Sequence, residues 1–140
     1  MIEERRFGMR LIHLWGALAL AFAMASTGSL VAQNTSIQRT VVQTADVSVP
    51  GREAVIARVV IGPFGKAGRH THPGDEISYV LEGEGEILID GQPPRKVKTG
   101  DGFVIPGGST HDARNIGATN LRLVGVYVVE KGKPLATPAP

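Results

Sequence analysis

Beyond its apolar N-terminal stretch, the 140-residue chain holds three histidines, His70, His72 and His111. In an extended strand, residues two apart point to the same face, so the imidazoles of His70 and His72 can converge on one point. Pro73-Gly74 then bends the chain. Glu76, four positions after His72, stands where a carboxylate can complete a mixed nitrogen and oxygen donor set, and His111 must arrive from a distant strand. The chain has no cysteine, so disulfides, thiolate metal sites and a cysteine nucleophile are excluded, and any metal must be held by nitrogen and oxygen. Taken singly, each histidine reads better as a solvated loop residue. The glycines and prolines around them argue for the ligand reading.

The elements that must position these groups read as short strands. Ala54 to Ile61 is rich in β-branched residues and is closed by Gly62-Pro63 and Gly65. Ile77 to Leu81 and Glu86 to Asp90 are joined through Glu82-Gly83-Glu84-Gly85, and Asp90-Gly91 marks the next hairpin. Arg95 to Lys98, Gly102 to Ile105 and Leu121 to Val129 supply three more strands, with glycine or proline at each junction. No stretch after residue 32 shows helical periodicity. With 18 glycines, 9 prolines and 42% hydrophobic residues, the chain reads as one turn-rich antiparallel β domain, and closing the sheet into a barrel would remove exposed edges. The domain is expected over residues 52–130, after an extension over 33–51. The tail, residues 131–140, carries three prolines and is expected to be loose.

The spacing of these residues resembles the cupin superfamily. Gly100, five residues, Pro106, one residue, Gly108, two residues, His111, three residues and Asn115 reproduce the second cupin motif. The first motif holds from His70 onward: His70-x-His72, three residues, Glu76, six residues, Gly83. Its leading glycine is replaced by Phe64, and Gly65 lies one position late, a departure that touches a turn and not a ligand. The resemblance covers roughly residues 52–130. It implies a small jelly-roll β-barrel, a homodimer, and His70, His72, Glu76 and His111 as ligands of one divalent transition metal ion.

Three imidazoles and a carboxylate suit iron, manganese, nickel, copper, cobalt or zinc. With every histidine past the leader committed to the metal, no free imidazole remains as a general base; Glu76, a bound hydroxide or Tyr79 would have to serve. Single-domain cupins that this chain resembles are often termed quercetin dioxygenase-like. That favours a metal-dependent dioxygenase acting on a small chelating enol or phenol. A non-catalytic cupin binding a sugar or acid, or a metal-assisted isomerase, lyase or decarboxylase, is the alternative. Oxalate decarboxylases and seed storage cupins usually carry two barrels, which argues against both. Arg58 either holds an anionic substrate inside the barrel or faces solvent or a dimer partner, the second being the expectation. Tyr79 and Phe103 either shape the pocket or belong to the core, the core being favoured.

The formal net charge is +2, of which residues 1–32 carry +1, so no basic surface argues for nucleic acid. Residues 1–32 have the layout of a secretory signal peptide: Arg5, Arg6 and Arg10, an apolar run from Leu11 to Ala25, then small residues. That run of about 15 residues is shorter than the ~20 needed to span a bilayer. Cleavage is expected after Ala25 or Ala32, with no stable membrane insertion afterwards and a periplasmic or secreted product. Arg5-Arg6 also fits the start of a twin-arginine signal, although Gly8 and Met9 replace its usual hydrophobic pair.

Overall fold

The computed structural model describes residues 36–140; the leader assigned to residues 1–32 lies outside them. Strand follows strand without a helix among the described residues, and none of them forms a helix long and apolar enough to cross a membrane. In chain order the strands are β1 (Ile37–Asp46), β2 (Arg52–Ile61), β3 (His70–Thr71), β4 (Gly74–Glu82), β5 (Glu84–Ile89), β6 (Arg95–Lys98), β7 (Gly102–Ile105), β8 (His111–Asn115), β9 (Leu121–Glu130) and β10 (Thr137–Pro138). They form two antiparallel five-stranded sheets, in the orders β1-β2-β9-β4-β7 and β10-β3-β8-β5-β6.

Alternation along the long strands explains why the sheets pack face to face. On β9, Leu121, Leu123, Gly125, Tyr127 and Val129 point inward, and on β4 so do Gly74, Glu76, Ser78 and Val80. Val59, Ile61, Val80, Ile87, Val97, Phe103, Ile105, Leu121 and Leu123 fill one end of the interior. A smaller cluster of Val55, Ala57, Tyr127 and Val129, backed by Leu135, fills the other. Each fully buried aliphatic side chain contributes about 1.5–3 kcal/mol. The polar site lies where the two clusters meet.

Four expectations from sequence need correction. Residues 37–46 are a strand and not part of an extension. β1 pairs with β2 along nearly its whole length, with a bulge between Val41 and Gln43, yet most of its side chains are exposed, so it carries no hydrophobic alternation to read. The sheets do not close into one continuous ladder; β1 and β7 bound one sheet, and β10 and β6 the other. The tail is not loose. β10 pairs with β3, the Ala139 amide donates to the Arg69 carbonyl, and Arg69 Nε donates to the Pro140 carbonyl at 2.6 Å. Tyr79, expected in the core or at the pocket, is half exposed on the outer face of β4, where it also cannot serve as a general base.

The turn at Phe64, where the first motif lacks its glycine, keeps the glycine-like conformation. Phe64 takes φ 54°, in the left-handed region that favours glycine, with its ring exposed to solvent. The chain therefore preserves the loop and carries the strain locally.

Candidate metal centre

The three histidines come from the β3–β8 side of the interior. His70 on β3 lies directly opposite His111 on β8, and the ring centroids are 4.3 Å apart. His72 follows two residues later with its ring edge-on to that of His70, at 4.8 Å. Glu76 comes from β4 in the facing sheet, so the site is assembled between the two sheets. All four side chains are buried, and their donor atoms lie within 4.8 Å of one another.

Backbone carbonyls set the orientation of each ring. Nδ1 of His70 donates to the Gly68 carbonyl at 2.6 Å, Nδ1 of His72 to the Leu135 carbonyl at 2.5 Å, and Nδ1 of His111 to the Ser109 carbonyl at 2.9 Å. A carbonyl cannot donate, so each Nδ1 carries the hydrogen, and in the neutral ring Nε2 is left as a lone pair facing the site. Glu76 is oriented in the same way: the Ser78 hydroxyl donates to its Oε1 at 2.6 Å, leaving Oε2 for the centre.

The backbone around the ligands is equally tied. The Gly108 amide donates to the His72 carbonyl, and the Gly107 amide to Asp75 Oδ1, so the loop leading to His111 is fastened to the segment that carries His72. A Cβ on Gly107 would come within 2.9 Å of the Gly74 backbone, so this approach admits only glycine. Asp112 accepts from the Gly68 amide at 2.8 Å and so holds the turn that receives the His70 hydrogen bond. Asn115, last in the second motif, donates to the carbonyls of Ile61, Gly62 and Thr119, and closes the loop before β9.

The donor set fits a cation. Nε2 of His72 lies 3.0 Å and Nε2 of His111 lies 3.4 Å from Glu76 Oε2, and both nitrogens are buried without a hydrogen-bond partner. Two imidazole nitrogens and a carboxylate oxygen thus converge, a contact that is repulsive until a proton or a metal ion joins them. Metal bonds of about 2.0–2.2 Å would bridge the four donors with small movements. Burial pushes His70 down to about 4, with His111, His72 and the Arg39 charge acting in the same sense, so this ring is neutral and available as a ligand. Burial alone would raise Glu76, but His111, His72 and Ser78 outweigh it and hold the carboxyl well below the usual carboxylate range.

Two residues of the site had no place in the sequence reading. Tyr127 is the cross-strand neighbour of Glu76 on β9, and its ring centroid lies 4.7 Å from that of His72. Its hydroxyl is pushed up to about 12, first by burial and then by the Glu76 charge, so it stays protonated. Arg39 on β1 reaches inward, with its guanidinium carbon 5.7 Å from the Tyr127 ring centroid. Tyr127 was findable: Gly125, two positions earlier on the same face of a strand, signals a close approach, and a Cβ there would meet the Tyr127 hydroxyl at 2.7 Å. Arg39 sits in a polar stretch with no pattern to betray it. Arg58 turns outward to solvent, as expected, while its inward neighbour is Ala57. Phe103 is core and also lines the cavity.

That cavity measures about 20 Å³ and is bordered by Arg39, His70, Glu76, His111 and Tyr127 among apolar side chains. A wider cleft of about 680 Å³ at the Pro73–Gly74 and Pro106–Gly108 turns contains none of the four donor side chains.

Fold and site together define a small jelly-roll protein with a buried three-histidine, one-glutamate centre. A family model for the cupin domain matches residues 57–129, more than half of the chain, and the chain belongs to the cupin family. It is 40% identical over 55 residues to dimethylsulfoniopropionate lyase DddQ of Ruegeria pomeroyi, an alignment covering 39% of this chain and 27% of that protein. The chain therefore spans about a quarter of that relative's length. Among solved structures it resembles an uncharacterized protein with a double-stranded β-helix domain from Klebsiella pneumoniae, with TM-score 0.61, 24% identity and coverage of 74% of this chain and 87% of the other. A cupin-like protein from Thermotoga maritima gives TM-score 0.61 and 24% identity, with coverage of 74% and 75%. At these identities the likeness speaks to fold.

Proposed function

We propose that this protein is a metal-dependent enzyme that uses one divalent transition metal ion, held by His70, His72, Glu76 and His111, to act on a small chelating molecule. The observation that carries this reading is the convergence of the two unpartnered Nε2 atoms on Glu76 Oε2. When bound, the ion would supply Lewis-acid polarisation of a ligand oxygen. The chain's own contribution is definite. Backbone carbonyls accept from Nδ1 of each imidazole and so turn Nε2 towards the site, Phe103 and Ile105 line it with apolar surface, and burial keeps the Tyr127 hydroxyl protonated.

A protonated tyrosine in the site supplies the proton-handling group that the histidine count lacked, and it favours lyase or isomerase chemistry. The partial similarity to a dimethylsulfoniopropionate lyase points in the same direction. Dioxygenase chemistry is the second reading, supported by a donor set that suits redox-active ions. The experiment loads the protein with zinc, manganese, nickel or iron in turn and offers dimethylsulfoniopropionate, flavonols and small hydroxy acids. Turnover without oxygen uptake supports the lyase class. Oxygen consumption with iron, manganese or nickel and none with zinc moves the assignment to a dioxygenase. A ligand that raises the melting temperature and returns unchanged would instead make the protein a binding cupin.

Export belongs to the same proposal, supported by the charged, apolar and small-residue order of residues 1–32. So does a homodimer. Ile77, Tyr79, Leu81 and Val104 expose an apolar patch on the outer face of the β1-containing sheet, which fits a second copy of the chain.

A further inference from the structure

Arg39 lies outside both motifs and outside the segment matched by the cupin family model, yet it borders the same cavity as the metal ligands. Its Nε is buried and has no hydrogen-bond partner, and among the described residues no carboxylate forms an ion pair with it. Leaving that Nε buried and unpaired is costly, because an unpaired polar atom forfeits its hydration. Tyr127 relieves part of the cost of holding the guanidinium there. The Tyr127 ring offers its face at 5.7 Å, a modest cation–π contact.

The charge balance of the cavity points the same way. Glu76 is the one carboxylate on its lining. A divalent ion bound to three neutral imidazoles and this carboxylate keeps one net positive charge, and Arg39 adds another within the same low-dielectric space. Two uncompensated positive charges side by side call for an anion that bridges them.

We infer that Arg39 is a specificity-determining residue, and that the ligand of this site is a small carboxylate whose anionic group pairs with the Arg39 guanidinium while a neighbouring oxygen faces the metal. This rests on the metal-dependent reading above and narrows its substrate class. The planar fork of arginine matches a carboxylate in two parallel hydrogen bonds, which a lysine cannot reproduce.

Position supports the role. β1 is an edge strand, hydrogen-bonded only to β2 and exposed over most of its length, so Arg39 is carried by the most yielding wall of the site. The present cavity of about 20 Å³ holds little more than one water-sized group. A carboxylate of several atoms enters only if the Arg39 side chain swings out, and its half-exposed position on an edge strand permits that. Arg39 thus covers the cavity when no ligand is present and contacts the ligand when one is.

The test uses the full-length protein loaded with nickel, an ion that accepts six ligands and does not cycle its redox state readily. Metal content is measured first. Calorimetric titration then compares glycolate with glycolamide, its uncharged analogue, on wild type, Arg39→Gln and Arg39→Lys. Wild type is expected to prefer glycolate. Arg39→Gln should lose about ten- to a hundredfold in glycolate affinity, the range of a charge-assisted hydrogen bond, with glycolamide affinity changed less than about twofold and one nickel per chain retained. Arg39→Lys should fall between and guards against misfolding of the glutamine variant. A nickel-loaded wild type that ignores glycolate, or an Arg39→Gln variant that binds it as tightly, overturns this inference and leaves the metal reading intact. A wild type that takes up no nickel overturns both.

Discussion

The cavity has two unlike walls. On one side stand His70, His72 and His111, each oriented by a hydrogen bond to a neighbouring carbonyl, on short segments cinched together by glycine and proline turns, and Glu76 completes their donor set from β4 in the facing sheet. On the other stand Arg39 and Tyr127, carried by the long strands β1 and β9, with the Arg39 Nε bonded to nothing. The first wall is built to hold four donors still, and so it needs residues of fixed type at fixed spacing. The second is carried by strands held together through their backbone pairing, which leaves no turn pattern in the sequence to mark its residues. On the proposed reading, metal holding and ligand selection are thereby separated in the same small domain.

Acid should strike the metal-holding wall hardest. In the metal-free protein His70 titrates at about 4 against its ordinary 6.5. Between these values the unfolded chain binds the extra proton, so stability falls as pH drops from 6.5 towards 4. Glu76, whose carboxyl is held below its ordinary 4.5, adds a further loss as pH falls below that value. Melting temperatures of chelator-treated protein from pH 7.5 to 4 should show both losses, and Glu76→Gln should remove only the lower one. A flat profile above pH 4.5 would mean that His70 is not held neutral by burial.

The same wall depends on a segment far away in sequence. Ending the chain after Pro134 removes the Leu135 carbonyl that accepts from His72 and the pairing of β10 with β3. Loss of such an orienting partner typically costs about 10–100-fold in metal affinity. Competition with a metal-sensitive dye reads this directly, and unchanged affinity would reduce the tail to a packing role.

Gly125→Ala attacks the other wall. Its new Cβ would meet the Tyr127 ring and hydroxyl at 2.7–2.9 Å, and overpacking of this kind costs about 1–3 kcal/mol. The expected result is a lower melting temperature with Tyr127 displaced, a changed ligand affinity and one metal per chain retained. Loss of metal in this variant would show that the two walls are not separate. The smallest effect is expected at Phe64→Gly, which relieves the left-handed strain at φ 54° but loosens the unfolded chain. Stability should change by less than about 1 kcal/mol in urea unfolding, with metal affinity untouched.

The contrast between the walls also explains what could be read from sequence. Metal ligation demands His-x-His spacing and turn glycines, so the first wall is visible as a pattern, and Arg95–Lys98 and Gly102–Ile105 are readable as strands because glycine and proline bracket them. β1 was hidden because an exposed edge strand is held by its backbone pairing and needs no apolar alternation. The order of the tail was hidden for a related reason: the tail bonds only through main-chain groups, carbonyls that accept from the His72 and Arg69 side chains and an amide that donates to the Arg69 carbonyl, so its own side chains carry no signal. Tyr127 lay within a strand that was recognised, and only the facing of β9 against Glu76 makes it part of the site.

The most direct test of the central claim is the metal content of the protein after reconstitution with divalent ions and removal of the excess, measured beside His72→Ala. The account predicts about one equivalent per chain in the wild type and loss of most of it in the variant. A folded wild type that retains no metal, or a His72→Ala variant as fully occupied as the wild type, would contradict it.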